Sequence, residues 1–215
     1  MNMGNFNPNS TQPINIMDRN LYDVTFHSHT ILTLLTSNSS VVDSWIFNIH
    51  LLHRHPNLIV GLDVEWRPHS HRDMHNPVAT LQLCVGHRCL VFQILHALSI
   101  PHSLISFLVD PNHTFVGVGI EDDVAKLLED YSLHVANFVD LRSLAVEKLG
   151  DPEMKKAGLK KLGLQVLGLD MEKPKRITRS KWDNLWLTVE QVQYASIDAF
   201  VSFEIGRRLI STNGV

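Results

Sequence analysis

The chain is poor in cysteine: Cys84 and Cys89 are the only two in 215 residues. This number excludes a scaffold of several disulfides and a zinc site built from cysteine thiolates. The two cysteines flank Val85-Gly86-His87-Arg88. A two-residue turn at Gly86 and His87 would place them opposite each other in a hairpin, where we expect two packed, reduced thiols.

Long hydrophobic runs are also missing. No stretch approaches the roughly 20 apolar residues that a membrane-spanning helix needs, and residues 1–9 have no basic and apolar signal-peptide pattern. We therefore expect an intracellular protein of the nucleus or cytoplasm, neither secreted nor membrane-bound. Residues 1–18 are rich in Asn without periodic apolar positions and predict a disordered tail. Residues 19–212 are long enough for one domain with a sizeable core.

The chain has no overall excess of positive charge, since its formal net charge is -3. Its cations are nevertheless concentrated: nine of the 19 lysines and arginines lie between Lys155 and Lys181, with only two acids. That segment carries +7 and the remainder -10. A basic patch beside an acidic site is the arrangement that binds a polyanion, whereas a solvated helix face with ordinary lysines is the alternative.

Hydrophobic periodicity predicts a mixed sheet flanked by helices, which is an α/β fold. The expected strands are Tyr22 to Phe26, Ile59 to Trp66, Ala79 to Val85, Cys89 to Phe92 and Thr114 to Val118, with Ile31 to Leu35 as a short strand or turn. The middle three of these apolar runs predict an antiparallel meander. The expected helices are Ser39 or Ser40 to Leu52, Ser103 to Val109, Glu121 to Tyr131, Leu141 to Lys148, Leu159 to Leu167 and Thr188 to Leu209.

Two carboxylates interrupt the most apolar of these strands, in Ile59-Val60-Gly61-Leu62-Asp63-Val64-Glu65-Trp66. Because side chains alternate along a strand, Asp63 and Glu65 share one face while Leu62 and Val64 point to the other. Two ionised carboxylates in an apolar frame are costly unless a cation neutralises them. The spacing therefore indicates a metal site, although a strand end with solvated acids would give the same pattern.

Two further elements carry acids. Glu121-Asp122-Asp123 follows the glycine-rich run Phe115-Val116-Gly117-Val118-Gly119-Ile120, where a strand gives way to a helix. Acids there also stabilise a helix N-terminus without any other role. Tyr194 and Asp198 are four residues apart in the last predicted helix and share one face, so Asp198 points into the domain or forms a surface pair with Tyr194.

The order of these elements resembles the DEDD superfamily of 3′-5′ exonucleases, in its tyrosine-bearing branch and closest to Werner-type exonuclease domains. The resemblance extends from about Asp23 to Leu209. Besides the runs quoted above, it rests on Leu81-Gln82-Leu83-Cys84, Gly158-Leu159-Lys160-Lys161-Leu162, Ser180-Lys181-Trp182, Leu187-Thr188-Val189-Glu190-Gln191 and Tyr194-Ala195-Ser196-Ile197-Asp198-Ala199.

The resemblance implies a ribonuclease H-like fold and a site residue by residue. Metal-binding carboxylates fall on Asp63, Glu65, Asp123 and Asp198, the catalytic tyrosine falls on Tyr194, and Asp122 is a neighbour rather than a ligand. The implied cofactors are two divalent cations, Mg²⁺ or Mn²⁺, and the implied reaction is hydrolysis of the terminal phosphodiester at a free 3′ end. In one departure from the family, Ala125 replaces a bulky aromatic, which leaves that aromatic's contact in doubt.

The expected substrate is single-stranded or recessed duplex DNA. An RNA-processing exonuclease and a catalytically silent nucleic-acid-binding or docking domain are the alternatives. A helicase acting in trans is a candidate protein partner. The expected substrate contacts are Trp66, Arg67, Arg72, Arg176, Arg179 and Lys181.

A histidine-rich loop follows the acidic strand and carries a rival hypothesis. His69, His71 and His75 could bind a metal for storage or sensing, because histidine is a common metal ligand. A structural zinc site usually needs four ligands, however, so a polar loop that leaves Arg67 and Arg72 free to touch substrate is the preferred interpretation.

Overall fold

The computed structural model describes residues 20–53, 55–68 and 75–211. The predicted tail, His69, His71 and Arg72 lie outside the described residues. Over the described ranges, no helix combines the length and apolar character needed to span a bilayer.

Seven strands form one mixed sheet in the described part of the chain. They are β1 (Leu21–Phe26), β2 (His29–Thr36), β3 (Ile59–Trp66), β4 (Val78–Val85), β5 (Arg88–Phe92), β6 (Thr114–Gly117) and β7 (Phe138–Asp140), in the order β1-β2-β5-β4-β3-β6-β7. The pairs β2/β5, β3/β6 and β6/β7 are parallel, and the other pairs are antiparallel. The predicted meander is β3-β4-β5, and it places β3 well inside the sheet.

Helices cover both faces of this sheet. They are α1 (Ser39–Leu52), α2 (His102–Val109), α3 (Ile120–Tyr131), α4 (Leu141–Leu149), α5 (Leu159–Leu162), α6 (Lys175–Thr178) and α7 (Val189–Ser211), with short 3₁₀ turns at Ile94–His96 and Pro152–Lys156. Apolar residues of α1, α2 and α3 pack on one face with Leu62 and Val64 of β3. Residues of α4, α5 and α7 pack on the other face.

Helix α7 approaches the sheet so closely that only glycine fits at two contacts. A Cβ on Gly61 would overlap the Ala199 carbonyl oxygen and lie 2.7 Å from the Phe203 nitrogen. A Cβ on Gly206 of α7 would lie 2.7 Å from a methyl group of Val116 in β6. These contacts bring the backbone of α7 against β3 directly beside the acidic pair.

Several predicted boundaries differ from the structure. Helix α1 is capped by Asn38 rather than by Ser39 or Ser40, because the Asn38 side chain accepts a hydrogen bond from the Ser40 amide. The expected single helix from Leu159 to Leu167 divides into α5 and a π-helical turn at Gly163–Leu167. The predicted extent is retained, and the change of pitch falls where a Cβ on Gly163 would lie 3.3 Å from a methyl group of Val201 in α7.

The hairpin between β4 and β5 confirms the predicted turn at Gly86 and His87. Gly86 adopts a positive φ of 59°, which favours glycine at this position. Cys84 and Cys89 are directly paired across the strands as expected, but the structure joins them by a disulfide. The expectation of two reduced thiols is therefore wrong.

Candidate active site

The two acids of β3 lie on the sheet face that α7 covers. Because Leu62 and Val64 pack with α1 to α3 on the opposite face, Asp63 and Glu65 point towards α7. On β4, Gln82 pairs with Asp63 and Thr80 pairs with Glu65. All four side chains are therefore on one face of two neighbouring strands.

Helix α7 supplies the next two predicted site residues. Tyr194 and Asp198 are buried and lie one helical turn apart. After burial, the charge of Asp198 contributes most to the raised pKa of the Tyr194 phenol, so the two side chains are close. Asp198 therefore points into the domain, as one of the two sequence-based interpretations expected.

Helix α3 positions the fourth predicted carboxylate. The helix starts after Gly119, whose φ of 75° lets the chain turn sharply and whose amide donates to Asp140. In the first helical turn, Asp123 is buried while Asp122 is exposed. This difference in burial favours Asp123 over its neighbour as the residue that faces the site.

Three of the four carboxylates converge. Oxygen atoms of Asp63, Glu65 and Asp198 all lie within 4.8 Å of one another. Burial, followed by the charge of Asp198, raises the pKa of Asp63 to about 7, and burial with the charge of Asp63 raises the pKa of Glu65 well above its usual range. The Asp198 oxygen Oδ1 is buried without a hydrogen-bond partner. Converging carboxylates with an unsatisfied oxygen fit a hard divalent cation such as Mg²⁺ or Mn²⁺.

Asp123 lies beside this group rather than in it. Its oxygens are not part of the set within 4.8 Å, but burial and the charge of Asp63 raise its pKa to about 9. Asp123 also contributes to the raised pKa of Glu65. It is therefore an electrostatic neighbour of the three carboxylates.

Lys173, from the chain before α6, reaches into the same cluster. Its Nζ lies 2.6 Å from Asp198 Oδ2 and 5.4 Å from the centre of the Tyr194 ring. Burial by itself would lower the pKa of Lys173, but the charges of Asp198 and Asp63 outweigh burial and raise it. An ammonium group is thus the counter-ion of the carboxylates in this structure.

The surroundings of Tyr194 keep its phenol protonated. Burial, followed by the charges of Asp198, Glu65 and Asp63, raises its pKa above the ordinary value. Its ring also lies 6.0 Å from that of buried Trp182, at an angle of 51°. A neutral, well-packed phenol can position a ligand or a water molecule but is a poor base.

The predicted substrate contacts differ in their partners and in their exposure to solvent. Arg67 Nη1 binds Asp183 Oδ2 at 2.9 Å, just beyond the end of β3. The ring of Trp66 is partly buried and has Lys126 Nζ 5.2 Å from its centre, so one face of the indole is occupied. Exposed basic residues precede α7 at Arg176, Arg179 and Lys181. Arg72 lies outside the described residues.

Two residues of the cluster were missed as site candidates. Gln82 is fully buried and its Oε1 has no hydrogen-bond partner, on the face that carries Asp63. Lys173 was counted only as part of the basic segment. The run Leu81-Gln82-Leu83 gave a signal for Gln82, since a polar residue inside an apolar strand needs a partner. No local signal distinguishes Lys173 from the eight other cations around it.

The histidine loop is described only at His75. Ligand atoms of His75, Glu129 and Asp130 lie within 4.8 Å of one another. Asp130 already binds His75 Nε2 at 2.6 Å, Lys126 Nζ at 3.2 Å and the Val78 amide at 2.7 Å. A cation there would compete with a lysine and a backbone amide, which favours a structural network joining α3 to β4. The metal-storage alternative stays a prediction.

A surface cavity of about 360 Å³ reaches Tyr194 from the side of the β1-β2 turn. Phe26, His27, Met171 and Arg176 contribute to its wall, and the four predicted carboxylates do not. The candidate active site is therefore the carboxylate cluster, with this cavity adjoining only its tyrosine.

Comparison with known proteins gives this cluster a context. Residues 48–211 match the sequence profile of a family described as 3′-5′ exonuclease. The chain belongs to the 3′-5′ exonuclease family. Since this match includes the acidic strand and the last helix, the resemblance seen in the sequence is confirmed, and the domain is that of a nuclease.

Two curated relatives share this domain. A 3′-5′ exonuclease of Arabidopsis thaliana is 38% identical over 148 residues, which cover 68% of this chain and 50% of that protein. The bifunctional 3′-5′ exonuclease/ATP-dependent helicase WRN of Mus musculus is 37% identical over 152 residues, covering 70% of this chain and 11% of that protein. The chain thus matches half or less of the length of these relatives.

Solved structures support the same fold. RNase D of Escherichia coli, described as an exoribonuclease involved in structured RNA processing, superimposes with a TM-score of 0.70 at 20% identity, covering 83% of this chain and 44% of that one. The EXD2 exonuclease domain soaked in Mg and GMP gives 0.50 at 27% identity, covering 83% and 88%. The expected ribonuclease H-like α/β fold is confirmed.

Proposed function

We propose that this chain is a divalent-metal-dependent exonuclease that removes nucleotides from the 3′ end of DNA. The observation that carries the proposal is the convergence of Asp63, Glu65 and Asp198 from β3 and α7, with a buried and unsatisfied oxygen on Asp198. Membership of the exonuclease family supports the reaction class. The single exonuclease domain spans residues 19–212 in this proposal.

Two cations, Mg²⁺ or Mn²⁺, are proposed as cofactors. Asp63, Glu65 and Asp198 would hold one cation, with Asp63 shared by a second that Asp123 helps to bind. Bound divalent ions acidify a water molecule and stabilise the charge that develops on the attacking and leaving oxygens. That a relative was soaked in Mg and GMP supports a hard cation beside a nucleotide.

The chain's own groups then orient the reactants. The neutral phenol of Tyr194 is positioned by ring packing against Trp182, so it can form a hydrogen bond that orients the attacking water without acting as its base. Lys173, once displaced from Asp198, is proposed to contact the phosphate of the bond that breaks. Burial of the cluster limits competing water and strengthens these interactions.

The exposed cations Arg176, Arg179 and Lys181 are proposed to guide the substrate backbone towards the cluster. Arg67 and Trp66 are proposed contacts at the end of β3, and Arg72 stays a prediction from the sequence. Because binding through phosphates releases counter-ions, affinity for DNA should fall as salt concentration rises, with a shallower slope after Arg176→Ala. Anisotropy titrations over a salt series measure this slope, and a flat dependence would contradict the assignment.

The reaction is tested by digestion of matched 5′-labelled DNA and RNA strands, single-stranded and recessed, with Mg²⁺, Mn²⁺ or EDTA. We expect a metal-dependent ladder that shortens from the 3′ end. Asp63→Ala and Asp123→Ala should abolish it, whereas Asp122→Ala is the matched control and should retain it. Tyr194→Phe should slow cleavage with little effect on metal binding.

The same digestion separates the alternatives. Cleavage of RNA in preference to DNA would identify an RNA-processing exonuclease. Binding without cleavage by either metal would instead favour a silent docking domain. A helicase acting in trans is proposed only as a partner class, from the combination of both activities named in the mouse relative.

A further inference from the structure

Trp186 presents an unusually large apolar surface to solvent. Its relative exposure is 83%, and its neighbours Leu185 and Val189 are 56% and 65% exposed. Four residues earlier, Trp182 is fully buried, and Leu187 packs in the same cluster as Trp182. The segment is therefore anchored in the core on both sides of an indole that stays outside.

This indole is carried by a fixed support. Residues 183–185 cross the end of the sheet and are tied to it by side chains from three places. Arg67 binds the Asp183 carboxylate, His96 Nε2 lies 3.1 Å from the Asp183 carbonyl, and Gln93 Nε2 donates to the carbonyls of Asn184 and Leu185 at 3.2 and 3.1 Å. The residue that follows directly is Trp186.

The support lies close to the carboxylate cluster. Glu65 pairs with Thr80, and Leu81 pairs with Phe92, so Gln93 continues the row of Glu65 and Thr80 across the sheet. With neighbouring strands 4.7–4.9 Å apart, Gln93 is about 10 Å from Glu65. This distance is to the support rather than to the indole; because a strand has about one nucleotide per 3.4 Å, a base on Trp186 would lie several nucleotides from the cluster.

We propose that Trp186 is a stacking platform for a base of the substrate strand, several nucleotides upstream of the bond that is cut. The inference rests on the proposed nuclease function. A flat aromatic face beside a phosphate-cleaving site is the usual device for holding single strands, because every base can stack on it. Arg67 binds Asp183 of the support, and Lys181 lies nearby in the chain. Both cations suit a strand whose phosphates are negatively charged.

The experiment combines abasic scanning with substitution of the tryptophan. An Asp63→Asn background prevents cleavage, and anisotropy measures the affinity for 5′-labelled ten-nucleotide single strands. Each strand lacks one base, at positions moved stepwise inward from the 3′ end. The variants are Trp186→Ala, Trp186→Phe and, as a matched exposed aromatic on α1, Phe47→Ala, whose side chain is 68% exposed.

We expect Trp186→Ala to weaken binding of the intact strand about fivefold to a hundredfold, since stacking contributes about 1–3 kcal/mol per base. Trp186→Phe should recover much of this loss, and Phe47→Ala should change little. In the Asp63→Asn protein with Trp186 intact, loss of the base at one position should weaken strand binding by a similar factor. In Trp186→Ala, loss of the same base should have no effect. That lack of additivity would identify the base that stacks.

Additive losses at every position would overturn the platform. A change of oligomeric state in Trp186→Ala, measured by sedimentation, together with unchanged binding of the strand, would also overturn it and assign the surface to a second copy of the chain. Either result leaves the nuclease proposal intact if the parent still produces a 3′ ladder. Absence of that ladder from the unsubstituted protein would reject the function itself.

Discussion

Lys173→Met should tighten the binding of Mn²⁺. The Lys173 ammonium lies 2.6 Å from Asp198 Oδ2, within the group of carboxylates that would hold a cation. Mg²⁺ binds oxygen at about 2.0–2.1 Å, so a cation on Asp198 and the ammonium would compete for one volume. Binding of the metal must therefore displace Lys173.

The size of the effect follows from how buried the ion pair is. Separating a buried pair costs about 3–5 kcal/mol, whereas exposed pairs contribute about 0.2–1 kcal/mol. The Lys173 side chain is 31% exposed and Asp198 only 4%, and the displaced ammonium regains its hydration. We take the cost of displacing Lys173 from Asp198 as about 1–2 kcal/mol. Without this cost, Kd for Mn²⁺ should be roughly fivefold to thirtyfold lower in Lys173→Met.

Calorimetric titration with Mn²⁺ measures this Kd, and thermal unfolding in EDTA supplies a second readout. The metal-free Lys173→Met protein should unfold at a lower temperature, because its carboxylates lose their counter-ion. Lys175→Met is the matched control, since it removes one exposed positive charge from the same segment. Equal shifts in both variants, or weaker Mn²⁺ binding in Lys173→Met, would refute competition for the site.

Three further predictions concern stability. Gly61→Ala should lower the free energy of unfolding by about 3 kcal/mol or more through overpacking against α7, whereas Gly158→Ala, with open space around its Cβ, should change it little in denaturant titrations. In EDTA the folded protein retains a proton on Asp63 up to a pH of about 7, its raised pKa, while the unfolded chain loses it near 4. Metal-free stability should therefore fall as pH rises between these values, and melting curves of Asp63→Asn should lose part of that slope; an unchanged slope would contradict the shift. Asp130→Ala should destabilise the protein by about 2–4 kcal/mol, because it leaves the Val78 amide without its acceptor and removes the ion pair with Lys126, and exposed Glu129→Ala should not. Equal melting temperatures of the two variants would count against this network.

The sequence predicted the central elements because their signals are local. The apolar run around Asp63 indicated a buried strand, and alternation already assigned Asp63 and Glu65 to one face. The four-residue spacing of Tyr194 and Asp198 likewise determines a shared helix face. The meander and the long last helix followed from these patterns. That Asp198 meets Asp63 and Glu65 was implied by the family resemblance.

Other features depend on contacts between distant parts of the chain. The helix from Leu159 changes to π-helical turns at Gly163, where it lies against Val201 of α7. The three-residue strand β7 is too short to show a period. Lys173 reaches Asp198 across 25 residues, and no spacing rule connects them. The turn predicted that Cys84 and Cys89 lie opposite each other. The expectation that they are reduced rested on an assumption about redox state, and for that reason the disulfide was missed.

The contact at Gly61 fixes the distance between the β3 and α7 carboxylates of the cluster. Gly61 is two residues before Asp63, and the carbonyl it faces belongs to Ala199, the residue after Asp198. The separation of these carboxylates is therefore set by backbone touching backbone, with no side chain in between. A larger residue at Gly61 or at Gly206 would widen that gap, so packing between α7 and the sheet influences the spacing of the carboxylates.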